Sequence, residues 1–198
     1  SAPNEQGWMS RSLWGSDVSR RALEQAEVVI VEINDQLPFF ASDGEAHMLF
    51  HVSEADILLE YSRPVAETPP VPTAEIDRVI AGHIAELVPD GACVQFGLGG
   101  LANAVGECLA DAGKKDLGIQ SEVLSNCVVT LMEKGVINNS RKQTCPGRSV
   151  GAYFVGDKAL WDFARDNPAF SFKEIDWVND PRNIARNDRV VSINNAME

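Results

Sequence analysis

The feature that most constrains the fold is a glycine-rich turn between an apolar strand and a helix. Residues 94–103 read Val-Gln-Phe-Gly-Leu-Gly-Gly-Leu-Ala-Asn, and a second apolar run, residues 116–122, ends on Glu122. A strand, a tight turn, a helix and a further strand make up the unit from which parallel sheets are built. In such sheets ligands bind beyond the carboxyl ends of the strands, and the turn and Glu122 both fall there.

Three interpretations of this unit are open on spacing alone. Gly97, Gly99 and Ala102 fit the G-x-G-x-x-G/A dinucleotide fingerprint, with Glu122 about 20 residues further on to hold a ribose hydroxyl. Alternatively, the turn amides stabilise the oxyanion of an acyl group, and Glu122 is the nucleophile that attacks it. The third interpretation is a tight turn followed by a solvated glutamate.

Composition limits the class of protein. The chain has 198 residues, of which 44% are hydrophobic, enough for one core or two small ones, so we expect a soluble globular protein. No apolar run reaches the ~20 residues of a membrane helix, and no basic segment followed by an apolar one opens the sequence. The net charge of −12 disfavours nucleic acid and anionic membranes as partners.

Cysteine and histidine usage predicts a cytoplasmic protein without a metal site. The cysteines form no C-x-x-C pair, so we expect reduced and mostly buried thiols, although Cys145 lies in a polar turn where it could be exposed. His47 and His51 are four residues apart, but the segment between them is apolar and not clearly helical. The cysteines are Cys93, Cys108, Cys127 and Cys145.

Four prolines within residues 63–72 predict a stiff linker. Before it, residues 19–27 have a helical pattern, and residues 28–33 form an apolar β-branched run that we expect to be a strand buried on both faces. Residues 57–61 are a second strand candidate.

After the linker, helix and strand patterns alternate, which predicts an α/β layer fold with a mainly parallel sheet. Thr73 is placed to cap a helix whose predicted buried face is Ile76, Val79, Ile80, Ile84, Leu87 and Val88. The other predicted helices are residues 102–112, 127–134 and 158–165, and the predicted strands are 92–96, 117–121, 149–155, 174–178 and 189–193.

Several motifs, taken together, carry a family resemblance that covers nearly the whole chain. In their order and spacing they resemble the acetyl-CoA hydrolase/transferase family, most closely its 4-hydroxybutyrate and butyrate:acetate CoA-transferases. The resemblance favours acyl chemistry over a nucleotide site. The motifs are Gln-Phe-Gly-Leu-Gly-Gly (95–100), Ser-Glu-Val-Leu-Ser (121–125), Glu-Lys-Gly-Val-Ile-Asn-Asn-Ser-Arg-Lys (133–142), Pro-Gly (146–147), Val-Asn-Asp-Pro (178–181), Ile-Ala-Arg-Asn-Asp (184–188), Val-Ser-Ile-Asn (191–194) and His-Val-Ser-Glu-Ala-Asp (51–56).

The resemblance implies a CoA-transferase-like layered fold of two domains, of which this chain looks like a central fragment. Residues 1–62 would end the N-terminal domain, residues 63–72 would be the linker, and residues 73–198 would begin the C-terminal domain. The implied reaction is ping-pong, and a glutamate carries first the acyl group and then CoA, as a glutamyl-CoA thioester.

The residue matching the family's catalytic glutamate is Glu122. Glu198 is a rival carboxylate, but it follows the Ser-Ile-Asn segment and not the nucleophile motif. The resemblance also implies CoA contacts from the glycine loop and from one apolar position near the chain's end, namely Gly97, Leu98, Gly99, Gly100, Leu101 and Met197.

The lining of the implied pocket departs from the family pattern. Where family members commonly have His-Thr-Glu-Met, this chain has Gln-Ser-Glu-Val at residues 120–123. Ser-Asn-Cys at residues 125–127 stands for the usual Ser-Asp-Gly, Ala102 for a proline, and Cys145 for a histidine. The nucleophile and the glycines match the family pattern, whereas the pocket lining does not. Acyl specificity is therefore the family property that carries over least to this chain.

We therefore predict a cytoplasmic CoA-transferase that moves CoA between short-chain carboxylic acids, with acyl-CoA as substrate and no permanently bound cofactor. A carboxylate suits this chemistry because it needs no base to activate it. The alternatives are an acyl-CoA hydrolase using the same glutamate, or a catalytically silent CoA-binding subunit. As partners we expect a second copy in a homodimer, or the rest of the transferase.

Overall fold

The computed structural model describes residues 1–14, 20–40, 48–69 and 71–195. Met197, Glu198 and His47 lie outside these ranges. The strands are β1 (Trp8–Ser10), β2 (Ile30–Ile33), β3 (Leu49–His51), β4 (Ile57–Glu60), β5 (Cys93–Phe96), β6 (Gly118–Ile119), β7 (Val123–Leu124), β8 (Ser149–Gly151), β9 (Tyr153–Phe154), β10 (Phe170–Phe172) and β11 (Val190–Ile193). The helices are α1 (Arg20–Gln25), α2 (Glu75–Leu87), α3 (Gly100–Asp111), α4 (Asn126–Glu133), α5 (Lys158–Ala164), α6 (Ile175–Val178) and α7 (Pro181–Ile184).

A parallel sheet in the order β11-β5-β6 organises the larger part of the chain. Val94 in the central strand pairs with Val191 on one side and Ile119 on the other. A parallel bridge from Gln120 to Val150 leads on to β8, which pairs in parallel with β10, and β7 pairs in parallel with β9. The prediction of an α/β fold with mainly parallel strands is thus confirmed.

The main core lies between this sheet and the helices that follow its strands. Helix α3 presents Val105 and Leu109 to it, and α4 presents Leu131, all with no exposed surface. An aromatic cluster closes one side, where the ring of Phe154 stands 5.0 Å from Phe40 and 4.9 Å from Phe172 between centroids. Burying one such side chain contributes about 1.5–3 kcal/mol, so this cluster is a substantial part of the stability of the core.

The buried face predicted for α2 is mostly wrong: Val88 is buried and Ile84 packs partly buried against the core as predicted, but Ile76, Val79, Ile80 and Leu87 are exposed. The helix turns Ala81 and Ala85 inward, whereas Ile76 is 63% exposed and Leu87 is 80% exposed. Its capping residue is Ala74 and not Thr73, and the Ala74 amide donates to Asp77 Oδ2 at 3.1 Å. Small inward side chains let α2 approach α3 closely, and this packing outweighs the helix's own apolar periodicity.

The strand predicted at residues 28–33 is present, but the expectation of burial on both faces is wrong. Among the described residues, strand β2 pairs with β4 alone, in parallel, and Ile30 and Leu59 are exposed. Its other side packs on a small cluster around Met9, Ile33 and Phe50, which includes the antiparallel pair β1–β3.

The proline-rich segment has no helix or strand in its described part, residues 63–69 and 71–72, and it runs along the surface of the larger part of the chain. The Thr68 amide donates to the Gly156 carbonyl at 2.8 Å, and Asn103 Nδ2 donates to the Val71 carbonyl at 3.3 Å. These bonds attach the segment to α3 and to the end of β9. The division into domains at this segment remains our proposal.

Two predictions near the C-terminal end need correction. Residues 174–178 were predicted as a strand, but the Trp177 amide bonds the Glu174 carbonyl and the segment is helix α6. The strand is Phe170–Phe172 instead. The predicted strand 149–155 is split at Ala152, because β8 pairs with β10 whereas β9 pairs with β7. In the described ranges, no helix has both the length and the apolar character needed to cross a membrane.

Candidate active site

The glycine turn begins directly after β5 and places Gly99 as the capping residue of α3. Gly99 has φ +115°, in the region that favours glycine, so the turn geometry requires this residue type. Gly100 is required for another reason: a Cβ there would lie 2.8 Å from Asp77 Oδ2 and 3.2 Å from the Pro72 carbonyl. The turn is therefore held tightly against the start of α2.

The amides of the turn are not equivalent. The Gly97 amide donates to the Ile193 carbonyl at 2.8 Å, so it is committed to the sheet and cannot serve as an oxyanion donor. Among the described residues, no acceptor is assigned to the amides of Leu98, Gly99 and Gly100. The side chain of Leu98 is 48% exposed, whereas Leu101 is partly buried against the core.

Glu122 is half-buried in the bend between β6 and β7, and each of its carboxylate oxygens has a neutral donor. Tyr153 donates its hydroxyl proton to Oε1 at 2.9 Å, and Asn179 Nδ2 donates to Oε2 at 2.5 Å. The Glu122 carbonyl accepts from the amides of Ala152 and Tyr153 at 2.9 and 3.2 Å. Backbone and side chain are thus both fixed on β9, so the carboxylate is oriented without an ion pair in the described part of the chain.

A buried serine joins the glutamate to the glycine turn. Ser121, only 1% exposed, donates from Oγ to the Phe96 carbonyl at 3.0 Å and accepts from the Phe96 amide at 3.3 Å. Since Phe96 precedes Gly97 and Ser121 precedes Glu122, these bonds bring the two predicted elements of the site side by side.

A polar network buried behind the site supports Asn179. Gln120 Oε1 accepts from Thr144 Oγ1 and Asn187 Nδ2, each at 2.8 Å, and Gln120 Nε2 donates to the Val178 carbonyl at 3.3 Å. Val178 immediately precedes Asn179, so the network positions the donor to Glu122 Oε2. Such a network is stable in a core only when its polar groups are satisfied, as these are.

A cavity of about 250 Å³ opens beside the turn. Leu98, Gly99 and Ala102 line it on the loop side, and Ser125 and Asn126 line it from the start of α4. Glu122 itself is not among its lining residues. The remaining lining residues are Thr68, Pro69 and Val71 of the proline-rich segment, together with Asn103 and Val155.

The cysteines and the two described histidines, His51 and His83, do not line this site. Burial raises the pKa of the Cys127 thiol, so it is a poor nucleophile, and Cys145 packs beside Val150 in a separate cluster. The His51 ring bonds Ser53 and the Gln6 carbonyl. Within the described ranges, no group of three His, Cys, Asp or Glu side chains could hold a metal ion.

Sequence reasoning missed Tyr153 and Asn179 as members of the site. Asn179 stands in the Val-Asn-Asp-Pro motif, so its presence in a motif was a usable signal. Tyr153 carries no such signal. It lies 31 residues from Glu122 along the chain, and the register between β7 and β9 sets their contact.

Comparison with known proteins identifies the relatives of this chain. Residues 156–198 match the model of the acetyl-CoA hydrolase/transferase C-terminal domain. A succinyl-CoA:cyclohexane-1-carboxylate CoA transferase of Geobacter metallireducens is 40% identical over 98% of the chain and 43% of that protein. A 4-hydroxybutyrate coenzyme A transferase of Clostridium kluyveri is 36% identical over 100% of the chain and 44% of that protein. The chain therefore spans less than half the length of these relatives.

Solved structures agree with the sequence relatives. The crystal structure of a 4-hydroxybutyrate CoA-transferase from Porphyromonas gingivalis superposes with a TM-score of 0.85 at 35% identity, covering 98% of this chain and 48% of that one. RipA from Yersinia pestis superposes with a TM-score of 0.84 at 38% identity, covering 98% of this chain and 44% of that one. The resemblance to the acetyl-CoA hydrolase/transferase family that was drawn from the motifs is confirmed: residues 156–198 match the family's C-terminal domain, and nearly the whole chain aligns with CoA-transferases.

Proposed function

We propose that the protein carrying this chain is a CoA-transferase that moves CoA between short-chain carboxylic acids, with Glu122 as its nucleophile. The observation that carries the proposal is the carboxylate of Glu122, oriented by Tyr153 and Asn179 at the carboxyl edge of a parallel sheet. Ser121 ties it to the glycine turn. An oriented carboxylate next to backbone amides suits attack on a thioester.

The proposed first half-reaction uses both elements. Glu122 attacks the thioester carbon of acyl-CoA, and the amides of Leu98, Gly99 and Gly100 are the candidates to receive the negative charge on the thioester oxygen. One such donor is worth about 2.7–4 kcal/mol in a transition state. The CoA thiolate leaves, and a mixed anhydride between the acyl group and Glu122 remains.

The thiolate then adds to the Glu122 carbonyl, so the acid departs and a glutamyl-CoA thioester forms. An acceptor carboxylate reverses these steps and leaves as a new acyl-CoA. We propose that Gly97, Leu98, Gly99, Gly100 and Leu101, together with Met197, contact the CoA. Since the chain has a net charge of −12, an anionic CoA must be held by such a local site.

Two alternatives make different predictions. A hydrolase would admit water to the acyl-enzyme, and a silent subunit would bind CoA without turnover. The relatives are named as transferases, so the hydrolase is not favoured.

The deciding experiment incubates the full-length protein with a panel of short-chain acyl-CoAs, with and without acetate as acceptor. We expect new acyl-CoA only when the acceptor is present, with little free CoA. Release of free acid and CoA without an acceptor would assign the hydrolase, and CoA binding without either product would assign the silent subunit.

A further inference from the structure

Tyr153 is bonded to Glu122 through both its backbone and its side chain, whereas the bond from Asn179 comes from its side chain. The backbone of Tyr153 belongs to β9, where it pairs with Val123, and its own amide donates to the Glu122 carbonyl at 3.2 Å. The Tyr153 hydroxyl therefore contacts Oε1 from the same strand that bonds the main chain of Glu122. Asn179, in contrast, is an exposed residue that follows the four-residue helix α6.

This difference assigns separate roles to the two carboxylate oxygens. A hydrogen bond stabilises the charge on a carboxylate oxygen and makes that oxygen a weaker nucleophile, so the attacking oxygen is the one whose donor can move away. The exposed Asn179 side chain can withdraw from Oε2 by rotating its own torsions. Tyr153 stays on Oε1. In the mixed anhydride Oε2 is then the bridging atom, and Oε1 is the carbonyl oxygen of the former glutamate.

We propose that Tyr153 is a catalytic residue whose hydroxyl stabilises the oxyanion that forms at Glu122 Oε1. This inference rests on the proposed function. When the CoA thiolate adds to Glu122 Cδ, the carbon–sulfur bond forms and negative charge collects on Oε1. The carbon–Oε2 bond then breaks, and Oε2 leaves with the electron pair as part of the released carboxylate. No proton is gained or lost in this sequence.

The site thus has two oxyanion positions with different donors. The substrate's oxygen faces the glycine turn when Glu122 attacks, whereas the glutamate's own oxygen faces Tyr153 when the thiolate or an acceptor carboxylate adds to it. Each addition to the glutamate's carbonyl carbon builds negative charge on Oε1. This is the atom that the Tyr153 hydroxyl already contacts at 2.9 Å. A hydroxyl donor placed in advance costs no reorganisation at that moment.

The test follows discharge of a preformed glutamyl-CoA thioester by acetate, in the full-length protein, by rapid quench and intact mass. Tyr153→Phe removes only the hydroxyl, and we expect the discharge rate to fall by about 10²-fold, as for loss of an oxyanion donor. The matched control is Tyr61→Phe, since Tyr61 is the chain's other tyrosine, 59% exposed and next to Arg63. That control should keep the wild-type rate.

A second measurement separates stabilisation of charge from simple positioning. Fluorinated tyrosines of increasing acidity are placed at position 153, and the pH is kept where the phenol remains protonated. A catalytic donor predicts that the discharge rate rises with phenol acidity.

A wild-type discharge rate in Tyr153→Phe, or a reduced rate that is indifferent to phenol acidity, would overturn this role while leaving the proposed function intact. Failure of the wild-type protein to form any thioester at Glu122 would overturn both the role of Tyr153 and the proposed function. That outcome is detected in the wild type alone, before any variant is compared.

Discussion

The Ser121 hydroxyl occupies both hydrogen-bonding groups of Phe96, donating to its carbonyl at 3.0 Å and accepting from its amide at 3.3 Å. Phe96 is the last residue of the central strand, and Ser121 precedes the proposed nucleophile. The pairing of β5 with β6 brings the glycine turn and Glu122 together, and this one buried side chain extends that connection to the residues directly before them.

Replacing Ser121 with alanine should both destabilise the protein and slow the reaction. The change leaves two buried backbone groups of Phe96 without this partner, which we expect to cost about 1–3 kcal/mol in the free energy of unfolding. Denaturant titration measures the loss, and the rate per folded molecule measures the displacement of the site. Ser140→Ala, at an exposed position, is the control and should change neither quantity. An unaltered stability for Ser121→Ala would show that these bonds do not hold the site together.

The glycine turn can be tested with two glycines that both have a positive φ. Gly99 and Gly113 have φ of +115° and +66°, and neither has an atom closer than 3.9 Å to an added Cβ. Valine at either position should destabilise the fold through backbone strain, and the strain should be larger at Gly99, whose φ of +115° and ψ of −176° lie in a region that only glycine commonly adopts. The comparison of rates is therefore made per folded molecule. Only Gly99→Val should lower the rate per folded molecule, because its side chain enters the space where the ligand meets the turn. Native rates for Gly99→Val would exclude the turn from the reaction.

Much of the fold around the site could be predicted because its signals are local. The strand before Gly97, the turn and the following helix are specified by adjacent residues, and the structure places them within two residues of the prediction. The inward face of α2 could not be predicted in this way. Its periodicity favours Ile76 and Leu87, but close packing against α3 selects Ala81 and Ala85.

The site itself was only partly visible in the sequence. Glu122 and the turn come from motifs, whereas the orientation of the carboxylate comes from Tyr153 and Asn179, which are 31 and 57 residues away. Contacts of that range depend on strand register, and register is settled by the whole sheet and not by either segment alone.

A lysine buried next to the sheet gives the protein a predictable pH dependence. Lys142 is 5% exposed, and its Nζ donates to the carbonyls of Ile119 and Arg148 at 2.6 and 2.7 Å. Burial lowers the pKa of Lys142 from 10.5 to about 8. Between these two values the unfolded chain binds more protons at this residue than the folded chain does, so the folded state gains stability as the pH rises.

The expected gain in the free energy of unfolding from Lys142 is about 3 kcal/mol between pH 8 and pH 10.5. Denaturant titrations of the wild type and of Lys142→Met at several pH values isolate it, since other titrating groups contribute equally to both proteins. The free energy of unfolding of the wild type should rise relative to the variant between pH 8 and pH 10.5. A difference that stays constant with pH would mean that the lysine keeps its ordinary pKa in the folded state.

Substituting Glu122 with glutamine tests whether its charge is needed. Glutamine has nearly the same shape and can still accept the Tyr153 hydroxyl, so we expect an unchanged melting temperature and unchanged CoA affinity. Turnover should fall by on the order of 10³-fold or more, because an amide is not a carboxylate nucleophile. Glu133→Gln, on the exposed side of α4, should retain full turnover. Full activity in Glu122→Gln would remove this residue from the mechanism.

The most direct test of the account is to trap the covalent intermediate. Borohydride reduces a thioester but spares a free carboxylate, so a glutamyl-CoA thioester should make the full-length protein sensitive to borohydride only after exposure to acyl-CoA. We expect inactivation under that condition alone, and peptide mapping should find the side chain of Glu122 reduced to an alcohol. Trapping at another carboxylate, such as Glu198, would keep the reaction and refute the residue. Measurable CoA exchange with no borohydride sensitivity after exposure to acyl-CoA would contradict the covalent mechanism itself.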